Sequence, residues 1–294
     1  MINKIRIAVV GNCQARPLAH TLASTGDNVE ITGVGVVHLL NDAEEPNYKT
    51  IFENSDLIFA QQVAANYPCK FVRTENMKSV YGDKVKIWPN LYYAGYNPEL
   101  TYLRDELRRP LGGPLGDYHI RTVHDAWLAG LGVAEAVSRH LDDNYNESKY
   151  ANVPEESLQE LRRREQQSDI RIVDWIAERL WSQRLFFTFN HPAQILIARL
   201  ALLLMRTCGI NGLEKPNNGS SFGEPLGQFK TPIARWVFKK YGAAFSDLME
   251  YKGREIISIH GGKIFYGKSI SYEVFELVEN FYRVYDSSNN NLAV

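Results

Sequence analysis

The sequence contains few cysteines, and their spacing excludes two common uses of the residue. Cys13, Cys69 and Cys208 are the only three, an odd number with no C-x-x-C pair, so we expect neither a disulfide framework nor a thiolate zinc site. His119 and His124 lack partners at metal-ligand spacing, and we predict no bound metal. The thiols should therefore be free, as in a reducing cytoplasm, and at least one of them should be available for chemistry.

A charge excess of one sign and long apolar runs are also missing. Lys and Arg total 33 against 34 Asp and Glu, so no global field draws the chain to nucleic acid, and we predict no nucleic-acid partner. The longest apolar run, 195–205, contains Arg199 and is shorter than the roughly 20 residues that span a bilayer. The first apolar run breaks at Gly11, too early for a signal peptide. We expect a cytoplasmic protein with no transmembrane segment.

Strand and helix patterns alternate in the first third of the chain. Apolar, β-branched runs predict strands at 5–10, 29–37, 56–60 and 85–88, and helical spacing follows the first of them. This alternation predicts an α/β fold with a mainly parallel sheet and flanking helices, in which ligands bind at the carboxyl ends of strands. We expect one domain over 1–294, with a helical insertion at about 97–184 and a C-terminal extension at about 210–294.

The remaining elements are predicted from periodicity and from the residues that begin or end helices and turns. Helices are predicted from Pro98, over 118–140 and over 154–181, followed by a buried strand at 185–189. His191-Pro192 should open an apolar helix that Gly209 stops. The composition of residues 211–227 predicts a loop, and Gly261-Gly262 predicts a β-hairpin.

The Gly11-Asn12-Cys13-Gln14 turn is the first candidate for chemistry. Glycine permits a sharp turn after the strand, and the N–H groups that begin the next helix can stabilise a thiolate or an oxyanion. Arg16 adds positive charge nearby. Cys13 is thus a candidate nucleophile, with a small buried residue in a βα turn as the alternative.

Two further segments end at the same predicted edge of the sheet. His191 can accept the thiol proton of Cys13, or it is a neighbour of a helix cap satisfied by backbone. Asn190 can orient that imidazole, donate to an oxyanion, or simply cap the helix that Pro192 begins. Asn90 follows the fourth strand and is a candidate oxyanion donor.

Other polar and aromatic residues lie near this edge. Gln61 follows the third strand, and His119 belongs to the Gly-Asp-Tyr-His stretch, so both are candidate ligand contacts. Tyr92, Tyr93 and Tyr96 crowd one loop and either line a pocket for a sugar or adenine or pack the loop. We expect packing for at least two of these tyrosines.

The motifs GNCQA, Pro-Asn-Leu-Tyr-Tyr, GDYH…AWLAGL and FNHPA occur in this order over roughly 5–208 and together resemble the WcbI family of capsular polysaccharide biosynthesis proteins. Members are understood as coenzyme A-binding acetyltransferases that O-acetylate a capsule sugar, with an active site likened to that of a cysteine protease. The resemblance implies that Cys13 is the nucleophile or acyl acceptor and His191 its base.

GDSL-type hydrolases are a looser likeness, which implies an SGNH- or flavodoxin-like core. Gly11 matches their turn, while Asn12 and Cys13 stand where Asp and Ser occur. Thr188 occupies the place of the acid three residues before the histidine, so the third member of any triad stays open.

The function implied by the family resemblance is coenzyme A-dependent O-acetylation of a sugar in bacterial capsular or other surface polysaccharide biosynthesis, with acetyl-CoA as substrate and a sugar or polysaccharide precursor as acceptor. A thioesterase or carbohydrate esterase is one alternative. A non-catalytic module that binds coenzyme A or a glycan, in peripheral association with a capsule-synthesis complex, is another. Candidate coenzyme A contacts are Gly11, Asn12, Gln14, Arg16, Gln61, His119 and Arg121, with Lys215 and Lys230 as further phosphate ligands.

Overall fold

The computed structural model describes residues 4–25, 28–105, 108–210, 223–246, 250–260 and 262–288. Its strands are β1 (Ile5–Gly11), β2 (Val29–Val36), β3 (Leu57–Gln61), β4 (Val85–Trp88), β5 (Leu100–Tyr102), β6 (Tyr118–Ile120), β7 (Phe186–Thr188), β8 (His191–Pro192), β9 (Tyr251–His260) and β10 (Lys263–Tyr272). Its α-helices are α1 (Ala15–Ala23), α2 (Glu45–Glu53), α3 (Thr74–Tyr81), α4 (Arg121–Leu128), α5 (Val133–His140), α6 (Asp143–Tyr150), α7 (Val153–Glu165), α8 (Val173–Arg179), α9 (Gln194–Thr207), α10 (Arg235–Tyr241) and α11 (Val274–Ser288). Lys215, Gly261 and positions 211–222 of the predicted loop lie outside the described residues.

The chain forms two compact units, each built from several segments. The first unit comprises Met1–Tyr92, Leu158–Arg179 and His191–Leu226. The second comprises Tyr93–Ser157, Leu180–Asn190 and Gly227–Val294.

A parallel four-stranded sheet forms the centre of the first unit, and the predicted fold class is confirmed. The strand order is β2-β1-β3-β4. Ala8 and Val10 of β1 belong to one buried cluster with Phe52 of α2 and Met77 of α3, while α1 packs on β1, β2 and α9. Because helices cover β1, its apolar run is almost fully buried. The order reverses between β1 and β3, and ligands of open α/β sheets bind outside the carboxyl ends at such a point.

Gly11, the last residue of β1, is required by close packing. A Cβ atom built there would lie 2.8 Å from Cζ2 of Trp88 and 3.2 Å from Cβ of Gln61. Contacts this short between carbon atoms are repulsive, so any side chain would move β1 away from its neighbours. The glycine therefore sets the position of the turn that follows it.

The helices predicted in 97–140 are shorter than expected or absent. No helix begins at Pro98; Leu100–Tyr102 instead forms β5, which pairs antiparallel with β6. The predicted helix over 118–140 is three elements, β6, α4 and α5, because strand pairing takes the first three residues and Gly130 turns the chain at a φ of 72°. Periodicity could not reveal this pairing, because each strand has only three residues and so shows no measurable alternation.

The predicted helix over 154–181 is also interrupted. α7 ends at Glu165 and α8 begins at Val173. The Glu165 carboxylate accepts hydrogen bonds from the backbone N–H groups of Ile172 and Val173, the latter at 2.7 Å. A side chain from the end of one helix thus satisfies the first donors of the next, which stabilises the break.

The predicted strand at 185–189 and the predicted hairpin are both confirmed, as β7 and as the antiparallel pair β9 and β10. Gly262 has a φ of 75°, as tight hairpin turns require. α11 is not among the elements predicted from the sequence, although its buried apolar residues have helical spacing: Leu277, Val278, Phe281, Val284 and Tyr285. α11 packs on α4, α5 and β9 within the second unit.

Substituting Gly11 tests the packing constraint at the end of β1. Gly11→Ala should lower the free energy of unfolding by about 1–3 kcal/mol, because the new methyl group collides with the indole of Trp88. Trp88→Phe removes the atoms that collide, so the same substitution should cost less in that background. Urea denaturation of the four proteins of this double-mutant cycle measures the coupling. Equal costs in both backgrounds would refute the steric explanation.

Candidate active site

Cys13 lies in the turn that joins β1 to α1. The Asn12 side-chain oxygen accepts a hydrogen bond from the Gln14 N–H at 3.0 Å, and its backbone oxygen accepts one from Ala15 at 3.0 Å. Cys13 Sγ lies 3.9 Å from the same Asn12 Oδ1. An Asn side chain that bonds its own backbone two residues on is a standard way to close a turn. The thiol is therefore held at the carboxyl edge of the sheet.

Four side-chain amides, those of Asn12, Gln14, Gln61 and Asn90, meet beside this turn, and we call them the amide cluster. Gln61 Oε1 accepts from the Asn12 backbone N–H at 2.9 Å, and Gln61 Nε2 lies 3.3 Å from both Gln14 Oε1 and Asn90 Oδ1. Asn12 Nδ2 donates to Asn90 Oδ1 at 3.2 Å, and Gln14 Nε2 donates to the carbonyl of Leu91 at 2.7 Å. The cluster thus links the ends of β1, β3 and β4.

The amide cluster is neutral and largely withdrawn from water. Gln14 is fully buried and Gln61 is 4% exposed, while Asn12 and Asn90 are half-buried. Hydrogen bonds are stronger in such surroundings, and mutually bonded amides hold one another in fixed orientations. These four residues are all sequence candidates, brought together because each lies at or just after the carboxyl end of a strand of one parallel sheet.

Burial raises the pKa of the Cys13 thiol to about 11, and the residue's own backbone N–H offsets part of the increase. The positive charge expected from Arg16 does not reverse this effect, since the Arg16 side chain is exposed to water. Cys13 is consequently a neutral thiol near pH 7. The sequence analysis expected surroundings that favour a thiolate, and desolvation outweighs them here.

His191 is a buried, uncharged imidazole in the first unit. Burial lowers its pKa to about 4, and a hydrogen bond with the backbone of Leu226 partly opposes the decrease. Within the described residues the hydrogen-bond partner of the Cys13 thiol is Asn12, and no hydrogen bond joins that thiol to His191. The Cys-His pairing inferred from the sequence therefore remains a prediction.

Asn190 lies in the second unit, bonded to two tyrosines. Its Nδ2 donates to the Tyr102 hydroxyl at 3.0 Å, and its Oδ1 accepts from the Tyr118 hydroxyl at 2.5 Å. The alternative role as a helix cap is wrong, because α9 begins at Gln194, after Ala193.

Glu224, which the sequence analysis missed, supplies an acceptor at this helix end. Its carboxylate accepts from the Gln194 N–H at 2.7 Å. No sequence signal identifies Glu224, since it lies 30 residues away in a polar segment.

The remaining candidates also lie in the second unit. His119 is fully buried, with Nδ1 3.1 Å from the Tyr285 hydroxyl and Nε2 2.9 Å from the Leu111 carbonyl, and burial lowers its pKa to about 4. It has no exposed atom for a ligand to contact, because α11 covers it. Arg121 is exposed and donates to Thr101 Oγ1 at 3.2 Å.

Two of the three tyrosines in the loop after β4 have a packing role. Tyr93 and Tyr96 are 2% and 1% exposed and pack edge to face at 5.4 Å in the second unit, which confirms the packing role for two of them. Tyr92, in the first unit, is half-buried beneath the guanidinium of Arg164 at 5.5 Å.

Two further properties bear on function. In the part of the chain that the structure describes, no group of three or more His, Cys, Asp or Glu side chains is arranged to hold a metal ion. Among the described residues, no helix is both long and apolar enough to span a bilayer.

The fold and the turn define a parallel α/β protein with a cysteine at the topological switch point of its sheet, a position typical of ligand and active sites. A family model described as "Polysaccharide biosynthesis enzyme WcbI" matches residues 6–213. The chain therefore belongs to the WcbI family of polysaccharide biosynthesis enzymes.

A solved structure shares the fold. It is described as WcbI, a novel polysaccharide biosynthesis enzyme, in a native form without a disulfide bond between coenzyme A and one of its cysteines. The TM-score is 0.73 at 19% identity, over 98% of this chain and 96% of that chain. Comparison with curated proteins gives no match.

The pH dependence of alkylation tests the state of Cys13. With the half-buried Cys208 changed to serine, the rate of iodoacetamide modification at Cys13 should rise about tenfold per pH unit from pH 7 to 9.5 without levelling, because the thiol has a pKa of about 11. Mass spectrometry of the Cys13 peptide measures the rate. The same protein in guanidinium chloride should level near the ordinary cysteine value of about 8.5. A plateau below pH 9 in the folded protein would contradict the burial effect.

Proposed function

We propose that this protein is a coenzyme A-dependent O-acetyltransferase of bacterial capsular or other surface polysaccharide biosynthesis. It would move the acetyl group of acetyl-CoA to a sugar hydroxyl in the cytoplasm. The observation that carries the proposal is the Cys13 turn, set at the switch point of the sheet against four neutral amides. Membership of a polysaccharide biosynthesis family supports the sugar acceptor, and the neighbouring structure, described by coenzyme A and a cysteine, supports the acyl carrier.

The amide cluster suits the negative charge that develops during acyl transfer. Attack on a thioester carbonyl produces a tetrahedral intermediate whose oxygen is anionic, and fixed N–H donors stabilise it. Asn90 Oδ1 accepts two hydrogen bonds, which turns its amide nitrogen away from those partners, and that nitrogen has no acceptor among the described residues. We assign Asn90 Nδ2 as an oxyanion donor.

In the cysteine route, Cys13 Sγ attacks the acetyl carbonyl as its proton passes to His191. The C–S bond to coenzyme A breaks, and the leaving thiolate takes that proton, which leaves acetyl-Cys13 and free coenzyme A. The sugar hydroxyl then attacks acetyl-Cys13 and gives its proton to His191. The C–S bond to Cys13 breaks and the Cys13 sulfur takes that proton, which leaves the O-acetyl sugar and the free thiol. Both half-reactions balance without a further reactant.

Charge separation is costly in this route before substrate arrives. Burial raises the pKa of Cys13 and lowers that of His191, so moving the proton from thiol to imidazole is unfavourable before substrate arrives. In this route we expect proton transfer to accompany attack on the thioester. The direct route, in which His191 activates the sugar hydroxyl and Cys13 is never acylated, requires only a neutral imidazole and remains the alternative mechanism.

A two-part assay tests the proposal. Purified protein is mixed with acetyl-CoA and with candidate capsule sugars, and release of free coenzyme A is followed beside intact mass. The cysteine route predicts acceptor-dependent release, a transient acetyl adduct on wild type, and loss of both in Cys13→Ala, because the acyl acceptor is gone. Cys208→Ala is the matched control and should retain full activity, since Cys208 takes no part in the hydrogen bonds of the amide cluster.

The outcomes separate the mechanisms. Full release by Cys13→Ala together with loss in His191→Ala would replace the cysteine route with the direct route. Release without any acceptor would make the protein a thioesterase. Absence of release with every acceptor, despite coenzyme A binding, would contradict the transferase proposal.

Variants of Asn90 test the oxyanion assignment. Asn90→Ala should lower kcat about 100- to 1,000-fold with a much smaller change in KM for acetyl-CoA, because the donor acts on the charge of the transition state. Asn90→Asp retains the oxygen that accepts from Asn12 and Gln61 but lacks the donor, and it should lose kcat to a similar extent. Normal kcat in Asn90→Asp would exclude the role.

A further inference from the structure

The second unit contains a cavity of about 430 Å³, which lies in the range of roughly 300–1,000 Å³ typical of small-molecule sites. Most of its wall is apolar and includes the side chains of Leu141, Ile233 and Val274. Trp236 and Phe238 add aromatic rings to the lining. Such a cavity accepts a compact ligand with an apolar body.

Glu99 places a carboxylate in this wall. Its side chain is 8% exposed, and its Oε1 lies 3.0 Å from Nδ1 of His140. That nitrogen makes no hydrogen bond with any described residue, so the contact is close but poorly aligned, while Nε2 of His140 lies 2.8 Å from the Tyr251 hydroxyl. Within the described residues, the carboxylate of Glu99 therefore receives no hydrogen bond.

The carboxylate of Glu99 can be reached from the cavity. The fully enclosed side-chain atoms without a hydrogen bond include Nδ1 of His140 and Nε1 of Trp236, but neither oxygen of Glu99. Both oxygens therefore retain accessible surface in a residue that lines the cavity. A buried carboxylate is costly unless it is paired and hydrogen-bonded, so a donor that enters the cavity would satisfy it.

The other charges of the lining favour a cationic donor over a neutral one. Its arginine and lysine, Arg235 and Lys239, both pair with Asp143, the former at 3.8 Å. Glu273 also lines the cavity and forms no ion pair with a residue in the described ranges. The lining thus retains negative charge that its own arginine and lysine do not neutralise, on Glu99 and Glu273.

We propose that this cavity binds an organic ammonium ion with a compact apolar body, and that Glu99 anchors it. The ammonium group donates to the carboxylate oxygens, and such charge-assisted hydrogen bonds are stronger than neutral ones. The apolar body contacts the aliphatic wall, and the aromatic rings of the lining also favour a cation. This site requires no acetyl transfer and lies in the unit that does not contain Cys13.

Three probes that share one body and differ in charge test the site by ligand-observed NMR at about pH 7. They are cyclohexylammonium, cyclohexanol and cyclohexanecarboxylate. Cyclohexylammonium should bind saturably, and cyclohexanol should bind at least about tenfold more weakly, because its hydroxyl donates a single hydrogen bond and carries no charge. Cyclohexanecarboxylate should bind more weakly still, since it is repelled by Glu99.

Variants locate the binding. Glu99→Gln keeps the shape of the side chain but removes its charge, so it should weaken cyclohexylammonium binding at least about tenfold and reduce the preference over cyclohexanol. Val274→Phe narrows the cavity from a half-buried position and should weaken binding with Glu99 in place. Glu279→Gln is the matched control, because Glu279 is an exposed residue of the same unit outside the lining, and it should bind like wild type.

Three results would overturn the proposal. The first is absence of saturable cyclohexylammonium binding to wild type, which would mean that water and His140 satisfy Glu99. The second is equal affinity for cyclohexylammonium and cyclohexanol. The third is unchanged binding in Glu99→Gln or in Val274→Phe, with the variant folded by circular dichroism. Cys13→Ala should bind cyclohexylammonium like wild type, so failure of the transferase mechanism and failure of this site are distinguishable.

Discussion

The hydrogen bond from the Asn12 backbone N–H to the side chain of Gln61 holds the candidate active site together. It ties the turn after β1 to the end of β3, the two strands between which the order of the sheet reverses. Because Gly11 allows β1 to approach Trp88 closely, the turn reaches Gln61 without a side chain between them. The position of Cys13 follows from this tie, since it is the next residue along the chain.

The same arrangement that positions Cys13 also favours the neutral thiol over the thiolate. Burial that fixes a side chain excludes water, and exclusion of water disfavours both a thiolate and an imidazolium. The pKa values of Cys13 and His191 move in opposite directions for this one reason. A neutral site surrounded by fixed amides carries no resident anion to repel an oxyanion, so its donors act when substrate supplies the charge.

Sequence reasoning identified the residues of the amide cluster because parallel strands present their carboxyl ends at one edge. Apolar runs marked the strands, and the polar residue after each run, such as Gln61 or Asn90, had to lie there. It misplaced His119 because burial by α11, more than 150 residues later, leaves no trace in the Gly-Asp-Tyr-His stretch. Helix breaks such as that at Glu165 depend on a cap whose geometry exists only after folding.

The cavity of the second unit shows the limit of motif reasoning more sharply. Glu99, His140, Trp236 and Tyr251 come from four distant segments, and none stands in a recognisable pattern. Each also has an ordinary structural explanation. Glu99 is an acidic residue in a turn, and His140 is the last residue of a helix. Trp236 is a buried residue of a short helix, and Tyr251 is an aromatic residue in a strand. Only the folded chain reveals that these four side chains line one cavity. A search for motifs within short windows of sequence cannot find such a cavity, because its lining residues become neighbours only when the chain folds.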